Sequence, residues 1–182
     1  MKSVDLLTQV QKQSQAIRQI AQQRFLPLSS QELNQKPSPQ QWSIAECLEH
    51  LNYYSSYYNK AIKAAIQTAE HKGWSAVPAF SSSWLGKKSI ESVDPNNLKP
   101  MKAKKNLNPS LSTVHPDVVQ RFIKGQDEFL ALAELAKKVN LNKAKVRIEV
   151  MKLLKLRLGD IFLFMVTHHQ RHCNQALRIL EA

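Results

Sequence analysis

The feature of this sequence that most constrains its fold is a set of four long segments in which apolar residues return every three or four positions. These segments span about residues 4–25, 43–70, 116–138 and 158–180. Such spacing is typical of helices that bury one face, and no proline or glycine interrupts residues 162–180. Four amphipathic helices of this length predict an all-α fold.

A long irregular stretch separates the second predicted helix from the third. Residues 71–115 contain four prolines and two glycines, too many for a regular element, and the stretch is too long for an ordinary loop. Large apolar residues such as Trp74, Phe80 and Trp84 argue against disorder. We therefore predict an ordered excursion that packs over the helices and crosses the mouth of a site. Its second half is basic, with Lys99, Lys102, Lys104 and Lys105.

Length and composition favour a single domain. The chain has 182 residues, of which 43% are hydrophobic, so we assign residues 1–182 to one domain with one core. The N-terminus lacks the apolar stretch of a secretory signal, and the longest strongly apolar run, residues 161–166, is far too short to span a bilayer. We expect no transmembrane segment, a cytoplasmic location, and free thiols at Cys47 and Cys173.

The charge balance is strongly basic. Lys and Arg number 26 against 14 Asp and Glu, which gives a net charge of +12 and favours anionic partners of some kind. The basic residues between 137 and 157 form either a phosphate-binding stripe or a solvated surface. The second interpretation is favoured because no nucleic-acid-binding motif accompanies them, so we expect no sequence-specific binding of nucleic acid. Residues 140–155 fit a strand in one part and a helix in another.

The last predicted helix contains three histidines within a stretch of five residues. His168 and His172 are four residues apart, so their rings project from one face, one turn apart, and could share a metal. With His168 at zero on a helical wheel, His172 lies at about +40° and Gln175 at about −20°, along one edge of the apolar face. His169 lies nearer the middle of that face, where a core residue is expected. The alternative pair of His169 and His172 is also compatible with the spacing.

A third ligand must come from another part of the chain, and His50 is the best candidate. It lies at the edge of the apolar face of the second helix, as His168 does in the fourth. Three such histidines on two packed helices could form a facial site with open positions, which is typical of catalytic zinc. The alternative is that all three are buried, neutral and hydrogen-bonded to other protein groups.

Other polar residues near the histidines have a structural and a functional interpretation. Ser43 and Glu46 fit a capping box at the start of the second helix, and this local role is favoured over acid–base chemistry for Glu46. Gln175 fits either a hydrogen-bond partner of a ligating histidine or a polar rim. His169 is a candidate for the same supporting role or for the core.

Two motifs carry a resemblance to a known family. The pattern W-S-x-x-E-x-x-x-H-L is met by Trp42, Ser43, Glu46, His50 and Leu51, and the pattern H-x-x-x-H-x-x-Q is met by His168, His172 and Gln175. Together they resemble the DinB/YfiT-like family of metal-binding proteins, over most of the chain. The resemblance implies an antiparallel four-helix bundle and a divalent metal held by the three matching histidines. One departure is His169, where relatives commonly have an acidic residue.

The resemblance also implies two chemistries. One is metal-dependent hydrolysis, and the other is transfer of a small-molecule thiol, so the expected partner is a small substrate such as a low-molecular-weight thiol. Zinc and nickel suit the ligands best, with iron and manganese as alternatives, and a homodimer is one option for assembly. The competing interpretation is a non-enzymatic bundle that binds a ligand or partner and carries a vestigial or structural metal site.

Overall fold

Helices account for most of the protein in the computed structural model, which describes residues 1–97, 103–111 and 114–181. The described helices are α1 (Ser3–Ile20), α2 (Ser30–Asn34), α3 (Ile44–His71), α4 (Trp84–Ser92), α5 (Val118–Ala136) and α6 (Leu158–Leu180). The sequence-based expectation of a mainly helical protein is confirmed. One small addition is a two-stranded antiparallel sheet of β1 (Lys145–Ile148) and β2 (Met151–Arg157).

The ends of the long helices follow from local signals. α1 continues through one π-helical turn at Ala21–Phe25 and ends before Pro27, which cannot continue a helix. α3 begins with the predicted capping box, in which Ser43 and Glu46 satisfy each other's backbone N–H groups. α6 begins immediately after β2, at Leu158. No helix in the described part of the chain has the length and apolar content needed to cross a bilayer.

The long helices bury their apolar faces against one another: α1 contacts α5 and α6, and α3 contacts α5 and α6. Antiparallel packing is seen in two of these pairs. On α1, Gln11 contacts Glu134 near the end of α5. Ser14 lies further along α1 and contacts Gln126, which lies earlier on α5. His50, near the start of α3, contacts His172 in the second half of α6, whereas Tyr58, two turns further along α3, contacts Phe164 in the first half.

The other two pairs run parallel. Near the start of α3, Asn52 donates to the carbonyl of Val118 at the start of α5, and Asn59 donates to that of Gly125, about two turns further along both helices. α1 and α6 end on the same side, because both are antiparallel to a helix of the parallel pair. The expectation of antiparallel neighbours therefore describes two of the four contacts. Because α3 and α5 run parallel, α5 begins on the side of the bundle where α3 begins.

The first part of the excursion is ordered and attached to α6. α4 packs on α6, and the fully buried Asp160 accepts hydrogen bonds from the Ser83 hydroxyl at 2.7 Å, the Ser83 amide at 3.2 Å and the Ser82 hydroxyl. A Cβ at Gly86 would lie 2.1 Å from Cγ of Asp160, so glycine permits this close approach. Lys99 and Lys102, part of the predicted basic half, lie outside the described residues.

The ambiguous segment after α5 forms the β-hairpin. Val146, Ile148 and Leu156 are buried on its inner face, and β1 contacts α3 and α6. The short alternation around Val146 was therefore a strand signal, while the helical interpretation of the following leucines was wrong. Tyr58 accepts a hydrogen bond from the amide of Glu149 at 3.2 Å and so attaches the turn of the hairpin to α3.

Candidate metal centre

Three buried histidines meet where α3 crosses α6. One ring nitrogen from each of His50, His168 and His172 lies within 4.8 Å of the others. The side chains are 4%, 4% and 9% exposed respectively. Nε2 of His50 lies 3.3 Å from Nε2 of His168, a distance at which two imidazoles share either a proton or a cation. The cluster could hold a metal ion, and it contains the three histidines that the sequence singled out.

Hydrogen bonds at the back of the cluster orient two of its rings. Nδ1 of His50 donates to the carbonyl of Leu107 at 2.8 Å, and Nδ1 of His172 donates to Oε1 of Gln175 at 2.9 Å. Because these acceptors require a proton on Nδ1, each ring presents the Nε2 lone pair to the cluster. Outer acceptors of this kind usually fix the tautomer of a ligating histidine. Gln175 therefore forms a hydrogen bond with a histidine of the cluster, as in the first of the two interpretations considered for it.

His168 differs from the other two rings in the hydrogen bonding of its Nδ1. Its Nδ1 is buried and has no hydrogen-bond partner among the residues that the structure describes. A buried polar atom without a partner costs about 1–3 kcal/mol, so stability alone gives no reason to keep it. The unpaired atom is not the nitrogen that faces His50, so the described residues leave the second nitrogen of this ring without a partner.

The cluster is uncharged at neutral pH. Burial lowers the pKa of His50 to about 4, although the hydrogen bond to Leu107 acts in the opposite direction. Burial, followed by the neighbouring His50, lowers the pKa of His172 to about 3. The pKa of His168 lies well below its ordinary value, first because of burial and then because of the adjacent histidines. Neutral imidazole is the form that binds metals, so the site needs no deprotonation before a metal binds.

Aromatic rings surround the histidines. The Trp42 ring centroid lies 4.9 Å from that of His50, while Tyr54 and Phe164 lie 4.4 Å and 5.6 Å from His168. Burial raises the pKa of Tyr54 to about 12, so its hydroxyl stays protonated. The surroundings therefore exclude water and strengthen any electrostatic interaction at the centre. Tyr54 lies one turn beyond His50 on α3, so both rings project from the same face of that helix.

The contribution of Leu107 had no signal in the sequence. Its carbonyl belongs to a 3-10 turn, Lys105–Leu107, in the excursion, 57 residues from His50. Any residue can present a carbonyl, so only the path of the chain reveals this contact. The excursion thus supplies one of the groups that orient the centre, which gives substance to the expectation that it packs near a site.

Glu46 has a structural role. Its carboxylate accepts from the Ser43 amide at 2.8 Å and lies 2.7 Å from Nζ of Lys36. Burial acts to raise the pKa of this carboxyl, but the hydrogen bonds from Lys36 and Ser43 outweigh it and hold the pKa below its usual value. These contacts fit the capping box and do not support the candidate role of Glu46 beside the histidines.

His169 belongs to a separate buried group. Nε2 of Gln126 donates to its Nδ1 at 2.9 Å, and its Nε2 lies 3.3 Å from Oγ of Ser55. Ser14 donates to Oε1 of Gln126 at 2.7 Å. We call Ser14, Ser55, Gln126 and His169 the His169 network. Burial lowers the pKa of His169 to about 3, so the ring is neutral, with both nitrogens paired. His169 is therefore a core residue, the second of the roles considered for it.

Both cysteines are buried next to the site and form no disulfide. Burial raises the pKa of Cys173 to about 12 and raises that of Cys47 as well. Each therefore remains a protonated thiol that packs as a small apolar group, as the sequence indicated.

Comparison with known proteins supports the resemblance. The sequence model of the DinB superfamily matches residues 13–176, a range that includes all three histidines of the cluster. No curated protein and no solved structure matches the chain. The match covers nearly the whole sequence, and both motifs fall within it. The chain belongs to the DinB superfamily.

Proposed function

We propose that residues 1–182 form a single DinB-like domain whose four long helices make one bundle and bind one divalent metal through His50, His168 and His172. The observation that carries this proposal is the pair of tautomers. Leu107 and Gln175 hold the protons of His50 and His172 on Nδ1, so the Nε2 lone pairs face the centre. Neutral nitrogen ligands suit zinc and nickel best, with iron and manganese as alternatives.

The proposed activity is either hydrolysis or the transfer of a small-molecule thiol, with a small molecule as substrate in the cytoplasm. A bound divalent metal supplies Lewis acidity, which lowers the pKa of a coordinated water or thiol. The three histidines add no negative charge, so they do not offset the positive charge of the metal that lowers this pKa. The aromatic rings of Trp42, Tyr54 and Phe164 provide an apolar lining for a small substrate.

A second candidate function is a structural metal site in a non-enzymatic binding protein. The observation that favours it is burial, since His50 and His168 are only 4% exposed and His172 only 9%. A structural site needs no access, whereas a catalytic site must admit a substrate. The two functions therefore differ in whether a small ligand reaches the metal.

Metal analysis of protein purified without an affinity tag tests the first step. We expect about one divalent ion per chain at neutral pH, and none in a His50→Ala/His168→Ala variant that remains folded. If the wild-type protein takes up no divalent ion, the metal-binding function is wrong.

Cobalt substitution tests the second step. A small thiol added to the cobalt-loaded protein should produce a sulfur-to-cobalt charge-transfer band, and this result would support thiol transfer. A change in the cobalt spectrum caused by azide but not by thiol would favour hydrolysis. A spectrum unchanged by both would favour the structural site and contradict an enzymatic function.

A further inference from the structure

The outer face of the β-hairpin carries a cluster of positive charge. The register places Lys145 opposite Arg157 and Arg147 opposite Lys155, so two pairs of cations lie directly across from each other. Like charges in cross-strand pairs destabilise a sheet. Folding alone therefore gives no reason for this arrangement, and we call these four residues the cationic face.

Little negative charge lies beside the cationic face. Glu149 is the one acidic residue between 137 and 157, and it lines a groove beside α3 with Tyr53 and Tyr57. No acidic side chain in residues 1–97, 103–111 and 114–181 forms an ion pair with Lys145 or Lys155. Lys145 and Lys155 are therefore the cations of this face that present their charge to an external partner, whereas the Arg157 guanidinium donates to the carbonyl of Ser81.

An exposed apolar tip adjoins the cationic face. At the start of β2, Met151 is 49% exposed, Leu153 95% and Leu154 39%. An exposed cluster of aliphatic side chains at the end of a hairpin marks an interaction site more often than a solvated surface. Leu153 lies two residues before Lys155 on β2, the spacing at which side chains project from the same face of a strand, so a flat partner could contact both.

We propose that this hairpin docks the protein on an anionic lipid bilayer, with Leu153 inserted among the acyl chains and the cationic face on the headgroups. The combination of an apolar tip and flanking cations matches the two zones of a bilayer surface, an apolar interior and a negatively charged plane. The net charge of +12 adds long-range attraction to such a surface. The mode is peripheral, since the hairpin is too short to span the bilayer.

Other occupants fit the face less well. Nucleic acid would use the cations but gains nothing from an exposed Leu153, since single strands are bound by stacking on aromatic side chains. A second copy of the chain would bring the same cations together and be repelled. An anionic bilayer satisfies both the charge and the apolar tip.

Co-sedimentation with vesicles tests the proposal. We expect binding to vesicles of phosphatidylcholine mixed with phosphatidylglycerol, weak binding to phosphatidylcholine alone, and loss of binding at high salt. Lys145→Gln/Lys155→Gln should lower the partition coefficient about fivefold per lysine, because each cation near such a surface contributes ~1 kcal/mol. Leu153→Ser should lower it roughly tenfold or more, the effect of losing one inserted leucine.

Matched variants keep the test specific. Lys12→Gln/Lys124→Gln removes the same charge from exposed positions on α1 and α5, and Leu135→Ser removes an exposed leucine from α5. Neither should change the partition coefficient by more than a small factor. Equal losses in these controls, or binding that ignores Leu153→Ser, would overturn the proposal. Tight binding to DNA that depends on the lysines but not on Leu153, or a dimer that Leu153→Ser dissociates, would overturn it in favour of those partners.

Discussion

Two neighbouring histidines on α6, His168 and His169, differ in how the surrounding protein pairs their ring nitrogens. His169 is fully buried, and both of its nitrogens are paired within the His169 network. His168, one residue earlier, is almost as buried, yet its Nδ1 has no partner in the described part of the chain and its Nε2 faces that of another histidine. Burial alone therefore does not separate a structural histidine from a functional one.

The difference lies in how the hydrogen-bonding capacity of each ring is used. A polar group with complete hydrogen bonding stabilises and orients the core. A group left incomplete costs stability and marks a position where an external atom is expected. This comparison assigns a structural role to His169. The proposed ligands His50, His168 and His172 instead bring one ring nitrogen each within 4.8 Å of the others, and the following predictions test this difference.

The largest expected effect is on metal affinity. Replacing His50, His168 or His172 by Ala should weaken metal binding roughly 100-fold or more. The binding free energy of a zinc ion held by protein side chains is on the order of 10–16 kcal/mol, and each of the few ligands contributes a large share of it. Isothermal titration or competition with a chelator measures the change. Variants His71→Ala and His115→Ala are the controls and should keep the wild-type affinity. A ligand variant with unchanged affinity would remove that residue from the site.

The second effect is on folding. His169→Ala should lower the free energy of unfolding by about 3 kcal/mol, since it creates a cavity and leaves Gln126 and Ser55 unpaired. Urea unfolding of the metal-free protein measures this loss, with Ser55→Ala as a milder control. Metal affinity per folded molecule should stay close to wild type. A loss of affinity equal to that of His168→Ala would show that the comparison between the two histidines is wrong.

The third effect is the dependence of stability on pH. The pKa of His169 is lowered to about 3 in the folded protein, whereas the unfolded chain has the ordinary value of about 6.5. The unfolded state therefore binds more protons between these values, and stability falls as the pH drops below about 6.5. Each such histidine contributes about 1.4 kcal/mol per pH unit in that window.

Chemical unfolding at several pH values measures this slope in the metal-free protein. His169→Gln should make the slope shallower by the share of one histidine. An unaltered slope in His169→Gln would mean that this ring becomes protonated as easily in the folded as in the unfolded state. Its place in the buried network would then be wrong.

The smallest effect concerns the group behind His172. Gln175→Ala removes the acceptor that holds the proton on Nδ1 and should weaken metal binding about tenfold, the lower end of what such supporting contacts contribute. Asn174→Ala is the matched control, because Asn174 bonds to Gln170 and contacts no ligand. Equal affinities in the two variants would reduce Gln175 to a polar rim residue.

Much of the site could be predicted because its signals are local. The spacing of His168 and His172 and the edge positions of all three histidines follow from helical periodicity, which depends only on the order of residues. The capping role of Glu46 follows from residues three positions apart. Two predictions depended on the path of the chain and were weaker. The antiparallel arrangement holds for α1 with α5 but not for α3 with α5, and the stretch around Leu153 forms β2 rather than the alternative helix.

The sequence by itself determined the four long helices and the capping box of α3, because each depends on contacts within one or two helical turns. It also singled out His50, His168 and His172 as candidates, through their positions on the helix faces and the family resemblance. Only the tertiary structure decided that α3 and α5 run parallel, that His169 is satisfied while His168 is not, and that the carbonyl of Leu107 orients His50. These features depend on contacts between residues far apart in the chain, and no local preference encodes which partner a buried nitrogen meets.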